Sequence, residues 1–313
     1  MFDYIFGPVL SSRLGRSLGV DLLGGRICSF DCLYCESGPT RLKTMHRAVY
    51  ADPDKILEEL ESWLLQQDCP EPEHITLGGE GEPCLNLGLG RIVQKIKRIA
   101  PHIPLAVLTN SSLLADDQVQ EELMSVDVVL PSLDTLVQQE FLRLNRPCKG
   151  LHVRDVAQGL TRFCRKFPGK IYLEVLLVAG INDTSENLER INAFLKDLRH
   201  DRVDITVMTR PGAHMQPAVP AEHVLNRWRT FLKGPRADIP GPGGPVSATG
   251  PVSPDTVLDS LRRRPQTLQQ LCLGLGLDPA EAAVLLDRLE ARKMVKTIRD
   301  REQKFYTSIR NGK

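Results

Sequence analysis

Six short apolar runs, separated by amphipathic segments, constrain the fold of this chain more than any other feature. The runs are residues 18–23, 74–77, 105–109, 126–130, 171–178 and 203–208. Their pattern predicts strands, and the segments between them, such as 53–67 and 185–198, begin with helix-capping residues. Alternating strands and helices favour a parallel sheet with right-handed crossovers. We therefore predict an α/β fold in which six βα units curl into a partial (β/α)6 barrel.

A Gly/Pro-rich segment divides the chain. Residues 234–254 contain 5 Gly and 6 Pro among 21 residues, a composition that breaks helical and strand periods and forms a semi-rigid spacer. The length of 313 residues, 42% of them hydrophobic, is sufficient for one large domain plus a small one. We predict a barrel domain at 1–233, a linker at 234–254 and a small domain at 255–313, with few contacts across the boundary.

Three cysteines lie close together directly after the first predicted strand. Cys28, Cys32 and Cys35 have CxxxCxxC spacing, and three clustered thiolates are typical of a [4Fe–4S] cluster in which one iron lacks a protein ligand. Zinc is the alternative; His46 is the nearest imidazole, but no second CxxC or HxxxH pair follows at zinc-finger spacing. A disulfide framework is disfavoured because the chain has 8 cysteines in 313 residues. The sequence therefore favours an iron–sulfur site in a reducing compartment.

Polar and glycine-rich motifs follow the next three predicted strands, where the active residues of a barrel are expected. The residues concerned are Gly79, Gly81, Glu82, Thr109, Asn110, Ser132 and Asp134. The glycines allow close backbone approach to a ligand, and the carboxylate of Glu82 is suited to an ammonium group. Each motif also has an ordinary alternative, namely a glycine-rich turn, a turn-forming asparagine or a helix N-cap by Asp134.

The cysteine motif, with Tyr34 just before its last cysteine, resembles the signature of radical S-adenosylmethionine (SAM) enzymes. This resemblance implies a catalytic [4Fe–4S] cluster bound by the three cysteines, with SAM as the ligand of the fourth iron. Reductive cleavage of SAM would then give a 5′-deoxyadenosyl radical. The resemblance also implies that Tyr34 lies beside the adenine and that the strand-end residues hold SAM, with Ser132 preferred over Asp134 for the ribose. The implied redox partner is an electron donor such as flavodoxin or ferredoxin.

Further motifs at 6–8, 11–21, 145–147 and 180–183 narrow the resemblance to the iron–sulfur oxidoreductases related to tRNA wyosine-base (4-demethylwyosine) synthases. The resemblance covers residues 1–233, and it implies an RNA base as the first candidate substrate, with a small metabolite or a peptide as the alternative. The candidate substrate contacts are Arg13, Arg16, Cys84, Glu174, Asn182 and Arg210. The other cysteines are isolated singles, which predicts buried small hydrophobic residues and no second cluster.

Past the linker, the pattern changes to three short helices at 254–263, 267–273 and 279–292, then two hairpin strands at 294–298 and 304–309. This order predicts a winged-helix domain. The segment 255–313 carries 12 Lys+Arg against 8 Asp+Glu, a net charge of +4. Its third helix is acidic, which disfavours the DNA major groove, but the wing and tail cations suit a phosphate backbone. These cations are Lys296, Arg299, Arg301, Lys304, Arg310 and Lys313.

Two classes of function follow from these motifs. The first is a radical SAM enzyme that binds RNA through its winged-helix domain, with protein docking as the alternative role of that domain. The second is a redox-sensing winged-helix regulator; it needs no SAM pocket, so the strand-end motifs count against it. Residues 1–8 lack the features of a signal peptide, and no apolar span is long enough for a bilayer. The sequence therefore predicts a cytoplasmic protein with no membrane role.

Overall fold

The computed structural model describes residues 2–66, 70–209, 214, 218–232, 252–262, 264–300 and 303–309. Most of the predicted linker lies outside these residues. So do several side chains that the sequence singled out, namely Cys69, Arg210, Arg301, Arg310 and Lys313.

The secondary structure forms a larger N-terminal unit and a smaller C-terminal unit. The larger unit contains, in chain order, β1 (Ile5–Ser11), β2 (Gly15–Val20), β3 (Ile27–Cys28), β4 (Leu42–Lys43), α1 (Pro53–Leu65), β5 (His74–Leu77), α2 (Leu89–Ile99), β6 (Leu105–Thr109), α3 (Asp117–Leu123), β7 (Val128–Pro131), α4 (Gln138–Leu144), α5 (Val153–Lys166), β8 (Lys170–Leu177), α6 (Ser185–Leu195), β9 (Arg202–Val207) and α7 (Glu222–Leu232). The smaller unit contains α8 (Pro254–Arg262), α9 (Leu268–Leu275), α10 (Pro279–Ala291), β10 (Val295–Asp300) and β11 (Gln303–Ser308). In the described ranges, none of these helices has the apolar length that crossing a membrane requires.

The main sheet has the strand order β1-β2-β5-β6-β7-β8-β9. Its strands from β2 to β9 run parallel, whereas β1 pairs with β2 antiparallel. The sheet is a curled half-barrel, which confirms the predicted α/β partial barrel. The sequence did not predict β1, because Gly7 and Pro8 interrupt its alternation and the register shifts between Phe6 and Val9.

The two faces of the curled sheet have different environments. On β8, Ile171 and Leu173 are buried in the main core, whereas Tyr172 and Glu174 alternate with them and are partly exposed on the other, concave face. A separate small apolar cluster on that concave face contains Tyr172 and Leu14 of the β1–β2 turn. The concave face therefore combines a small apolar cluster with polar side chains.

The C-terminal unit has a small core of its own. Its buried side chains include Val257, Leu261, Leu271, Leu275, Leu286 and Val295. The three predicted helices and the hairpin are present, and Thr267 caps α9 with a complete capping box. Strand β10 continues further than predicted, so that Arg299 lies in the strand, directly opposite Lys304 of β11.

The C-terminal unit packs directly on the edge strand β1. The carboxylate of Asp259 accepts a hydrogen bond from the backbone N–H of Phe2 at 3.3 Å, and the hydroxyl of Ser260 donates to the carbonyl of Pro8 at 3.5 Å. A Cβ added to Gly274 of α9 would lie 3.0 Å from the same carbonyl oxygen. The expectation of few contacts across the boundary is therefore wrong, because α8 and α9 cover a strand edge that would otherwise present unpaired backbone groups.

Candidate functional site

The three motif cysteines lie on a loop at the carboxyl edge of the parallel strands. Cys28 ends β3, and the end of α4 holds the residues that follow it. The backbone N–H of Asp31 donates to the carbonyl of Asn145 at 3.0 Å, and that of Leu33 donates to the carbonyl of Leu144 at 2.9 Å. The last carbonyls of a helix lack partners within the helix, and here they fix the cysteine loop in place.

All three thiols are in a desolvated environment. Burial raises the pKa of Cys28 to about 12, and the nearby carboxylate of Glu82 adds to the shift. Burial also raises the pKa of Cys32 and of Cys35. Thiolates in such surroundings need a positive charge next to them, and the iron ions of a cluster supply it.

The donor chemistry of the loop fits an iron–sulfur cluster. Asn110 and Asn145 direct side-chain N–H groups at the sulfurs of Cys28 and Cys32, and hydrogen bonds to sulfur are characteristic of such clusters. His46, the ligand that zinc would require, has an exposed side chain. Over the described residues, no group of three or more His, Cys, Asp or Glu side chains is placed to hold a single metal ion.

Glu82 is engaged in internal hydrogen bonds. Its carboxylate, 1% exposed, accepts from the backbone N–H of Asn110 at 2.7 Å, from the hydroxyl of Thr109 at 2.8 Å and from the backbone N–H of Cys84 at 3.2 Å. Burial raises the pKa of Glu82, although these donors oppose the shift. The expected ammonium partner is therefore a buried group that joins the chain after β5 to the end of β6.

We expect Glu82→Gln to destabilise the protein even without SAM. The amide nitrogen cannot accept, so the backbone N–H of Asn110 or that of Cys84 loses its partner, at a cost of about 1 to 3 kcal/mol. Thermal unfolding of the SAM-free protein measures the loss. The control is Glu121→Gln at an exposed position of α3, which should leave the melting temperature unchanged. An unchanged melting temperature for Glu82→Gln, combined with weaker SAM binding, would restore the original ammonium-binding role.

The glycines of the same motif allow close packing of backbone on backbone. Gly79 and Gly81 have φ of 151° and 140°, values that residues with a Cβ rarely adopt. A Cβ on Gly81 would lie 1.8 Å from the carbonyl oxygen of Ile27, and one on Gly79 would lie 3.0 Å from the Cβ of Asp21. Gly81 thus brings the motif against the cysteine-bearing strand β3, and Gly79 brings it against Asp21, which directly follows β2.

Asp134 is the centre of a buried network beside the cysteine loop. It accepts from the hydroxyl of Tyr34 at 2.5 Å, from the side-chain amide of Asn145 at 2.7 Å and from the backbone N–H of Leu176 at 3.0 Å. Burial raises the pKa of Asp134 to about 6, against the effect of these donors. The N-cap of α4 is Val137, so Asp134 does not cap that helix; it positions Tyr34.

A small pocket opens beside this network. Its cavity volume is about 10 Å³, and its polar lining consists of Tyr34, Asn110, Ser132, Thr135, Asp134 and Asn145. The structure thus brings four of the predicted SAM contacts, from the loop and from two strand ends, around one space. Asn145 was not among the predicted contacts, although its place in the 145–147 motif was a signal for it.

The concave face of the sheet carries a second polar group. Arg13 forms an ion pair with Glu174, across 161 positions of the sequence. Next to it, Arg202 pairs with Asp204 at 2.8 Å and lies 3.9 Å from the ring centroid of Tyr172. Sequence reasoning missed Arg202 and Asp204, although their spacing of two on β9 is the signal for a shared face.

Two predicted substrate contacts are structural. Cys84 is fully buried, and its sulfur lies 3.7 Å from the hydroxyl oxygen of Thr109. Asn182 is also fully buried, and its amide donates to the carbonyl of Asp134 at 2.9 Å. Neither side chain faces open space, and their contact with a substrate stays a prediction.

The remaining candidates are Arg16 and Arg210. Arg16, near the amino end of β2, pairs with Glu73 at 3.5 Å. The amino ends of the parallel strands are opposite the cysteine loop, so Arg16 does not line the pocket, and its substrate role stays a prediction. Arg210 lies outside the described residues.

Comparison with known proteins relates the chain to one superfamily. The sequence profile of the Radical SAM superfamily matches residues 22–195, which include the cysteine loop. A UPF0026 protein of Helicobacter pylori (strain ATCC 700392 / 26695) is 32% identical over 238 residues, which cover 75% of this chain and 76% of that protein. A UPF0026 protein of Synechocystis sp. is 36% identical over 212 residues, with coverage of 67% and 77%.

Two other matches cover a smaller share of the matched protein. A protein named GTPase Obg from Brachyspira hyodysenteriae is 30% identical over 289 residues, which are 91% of this chain but 42% of that protein. The chain thus spans less than half the length of this relative. The crystal structure of a radical SAM methyltransferase from Sphaerobacter thermophilus is 18% identical with a TM-score of 0.56, and the match covers 69% of this chain and 63% of that one. This last similarity concerns the fold.

Proposed function

This chain belongs to the radical SAM superfamily, and we propose that it cleaves SAM reductively to generate a 5′-deoxyadenosyl radical that acts on an RNA base. Enzymes of this superfamily use a [4Fe–4S] cluster and SAM. The observation that supports the proposal most is the loop of Cys28, Cys32 and Cys35 beside a polar pocket at the carboxyl edge of the half-barrel. When bound, the cluster supplies the electron for SAM cleavage.

The residues around the pocket have distinct roles in this proposal. Tyr34 contacts the adenine of SAM, and Ser132 and Asn110 contact its ribose and carboxylate. The two buried carboxylates act indirectly, since Asp134 fixes the hydroxyl of Tyr34 and Glu82 fixes the backbone of Asn110. This arrangement holds the reacting groups in one geometry, which is the main contribution that a protein makes to radical chemistry.

The concave face is the proposed place of the substrate. Arg13 and Glu174 are 19% and 18% exposed, so both are accessible from the interior of the half-barrel. A guanidinium donates hydrogen bonds and a carboxylate accepts them, and the edge of a nucleobase presents both donors and acceptors. These two side chains therefore match an RNA base better than an apolar metabolite.

The C-terminal unit is the proposed RNA-binding element, in a winged-helix arrangement. Lys296, Arg299 and Lys304 are exposed on its hairpin. Arg299 and Lys304 face each other as cross-strand partners, and like charges in this position repel unless an anion lies between them. A phosphate group of RNA would relieve that repulsion.

An electron donor and a location complete the proposal. We infer flavodoxin or ferredoxin as the electron donor, since the cluster requires one-electron reduction. All seven described cysteines are free thiols, which agrees with a reducing cytoplasm.

RNA binding tests the substrate class. We expect the affinity for bulk tRNA, measured by fluorescence anisotropy, to fall steeply between low and physiological salt, because bound cations displace counterions. The double variant Lys296→Glu/Arg299→Glu should lower the slope of log Kd against log salt by about one unit per lost phosphate contact.

The matched control is Lys55→Glu, a charge reversal at an exposed position of α1, and it should keep the original slope. Equal slopes for all three proteins would exclude the hairpin as the RNA-binding surface. No tRNA binding at any salt concentration would favour a small metabolite or a peptide as substrate and a protein-docking role for the C-terminal unit.

A further inference from the structure

Two asparagine side chains donate hydrogen bonds to the sulfurs of two motif cysteines. The Nδ2 of Asn110 lies 3.3 Å from the Sγ of Cys28, and the Nδ2 of Asn145 lies 3.5 Å from the Sγ of Cys32. Asn110 follows β6 and Asn145 follows α4, so the two donors reach the cysteine loop from different elements. Neither contact is visible in the local sequence, because 82 and 113 positions separate the partners.

Contacts other than those to sulfur fix the orientation of both amides. The Oδ1 of Asn110 accepts the backbone N–H of Ser112 at 3.0 Å, so its amide nitrogen must face Cys28. The Nδ2 of Asn145 donates to the carboxylate of Asp134 at 2.7 Å. A flipped amide would place its oxygen against that carboxylate, where two acceptors repel each other. Both N–H groups therefore point at sulfur independently of how the cysteines are charged.

Each asparagine is also anchored to a buried carboxylate. The backbone N–H of Asn110 donates to Glu82, and the side chain of Asn145 donates to Asp134; these carboxylates are 1% and 4% exposed. Asn145 itself is 4% exposed. A hydrogen bond in such surroundings is electrostatically stronger than in water, and an anchored donor loses little entropy when it binds.

We propose that Asn110 and Asn145 are positioning residues that set the reduction potential of the cluster by donating N–H hydrogen bonds to Cys28 and Cys32. The inference rests on the proposed function, because it requires a [4Fe–4S] cluster on this loop. On reduction, negative charge increases on the cysteine sulfurs, and a donor aimed at sulfur stabilises the reduced state more than the oxidised state. Both asparagines therefore raise the potential, against the opposing field of the two buried carboxylates.

The test compares the midpoint potentials of reconstituted, SAM-free proteins in a redox titration followed by electron paramagnetic resonance. We expect Asn110→Ala and Asn145→Ala to have more negative potentials than the wild type. The control is Asn187→Ala. The amide of Asn187 donates to the backbone carbonyl of Asp134 at 3.0 Å and makes no described contact with a cysteine, so a general loosening of the site would appear there too. Unchanged potentials in both variants, at full cluster content, would overturn the inference.

A measurement on the wild-type protein tests the same inference if the alanine variants fail to take up the cluster. In protein labelled with ¹⁵N-asparagine, pulsed electron paramagnetic resonance of the reduced cluster should detect weakly coupled nitrogen, because an N–H hydrogen bond transmits spin density from sulfur. The absence of this coupling would also overturn the inference. A wild-type protein that binds zinc and no iron would refute the proposed function itself, and the present inference with it.

Discussion

Replacing Cys32 with alanine is expected to abolish both the iron–sulfur cluster and the cleavage of SAM. Cys32 is the middle cysteine of the motif and a proposed cluster ligand, and its backbone carbonyl also accepts the N–H of Cys35 at 3.2 Å. Two remaining thiolates cannot hold a cube that uses three protein ligands. The measurements are iron and sulfide content after anaerobic reconstitution, and release of 5′-deoxyadenosine and methionine under a strong reductant. Both signals should fall to background.

Cys148→Ala is the matched control for this variant. Cys148 lies next to the cysteine loop, since its backbone N–H donates to the carbonyl of Ser29 at 2.9 Å, and its side chain is partly exposed. The same substitution at this neighbouring thiol should leave the cluster and SAM cleavage intact. Retained SAM cleavage in Cys32→Ala, or equal losses in both variants, would contradict the assignment of the ligands.

The half-barrel was predictable because its strands obey local rules. Runs of apolar residues between capped helices identify β5 and β6 at their observed bounds, and right-handed crossovers dictate a parallel order. The docking of the C-terminal unit on β1 was not predictable in this way. A Gly/Pro-rich segment indicates a boundary between units in the sequence, but it does not say whether the flanking units touch. The close approach of Gly274 to Pro8 depends on tertiary packing.

In the candidate site, too, local sequence patterns predict some features, whereas others depend on tertiary packing. Clustered cysteines and polar strand ends can be read from spacing, and Tyr34 and Ser132, which these motifs singled out, line one pocket in the structure. The partners of buried polar groups cannot be read in this way. Glu82 looked available for a ligand, yet Thr109 and Asn110 satisfy it from positions 27 and 28 residues away. A buried carboxylate must find such donors, but the sequence does not reveal which ones.

Deleting residues 252–313 is expected to destabilise the remaining half-barrel. Four described hydrogen bonds that join the C-terminal unit to backbone atoms of residues 2–10 would be lost, namely Phe2–Asp259, Pro8–Ser260, Phe2–Arg262 and Leu10–Arg264. At about 1 kcal/mol each, their loss lowers the melting temperature by about 10 °C, using roughly 2 to 4 °C per kcal/mol for domains of this size. Exposure of the β1 edge should also promote aggregation. Thermal unfolding and size-exclusion chromatography of the two proteins measure these effects.

A point substitution in the full-length chain tests the contact between the two units while the C-terminal unit is still present. Gly274→Val forces a branched side chain into the contact between α9 and β1, where a Cβ alone would lie 3.0 Å from the carbonyl oxygen of Pro8 and 3.3 Å from the backbone nitrogen of Leu10. Gln269→Val introduces the same side chain at an exposed position of α9, so it controls for helix propensity. We expect the first variant to melt several degrees below the second, because overpacking costs about 1 to 3 kcal/mol. Equal melting temperatures, together with a truncated protein as stable as the full chain, would show that the two units are independent. A lower melting temperature confined to Gly274→Val would show that packing of the C-terminal unit against β1 stabilises the sheet.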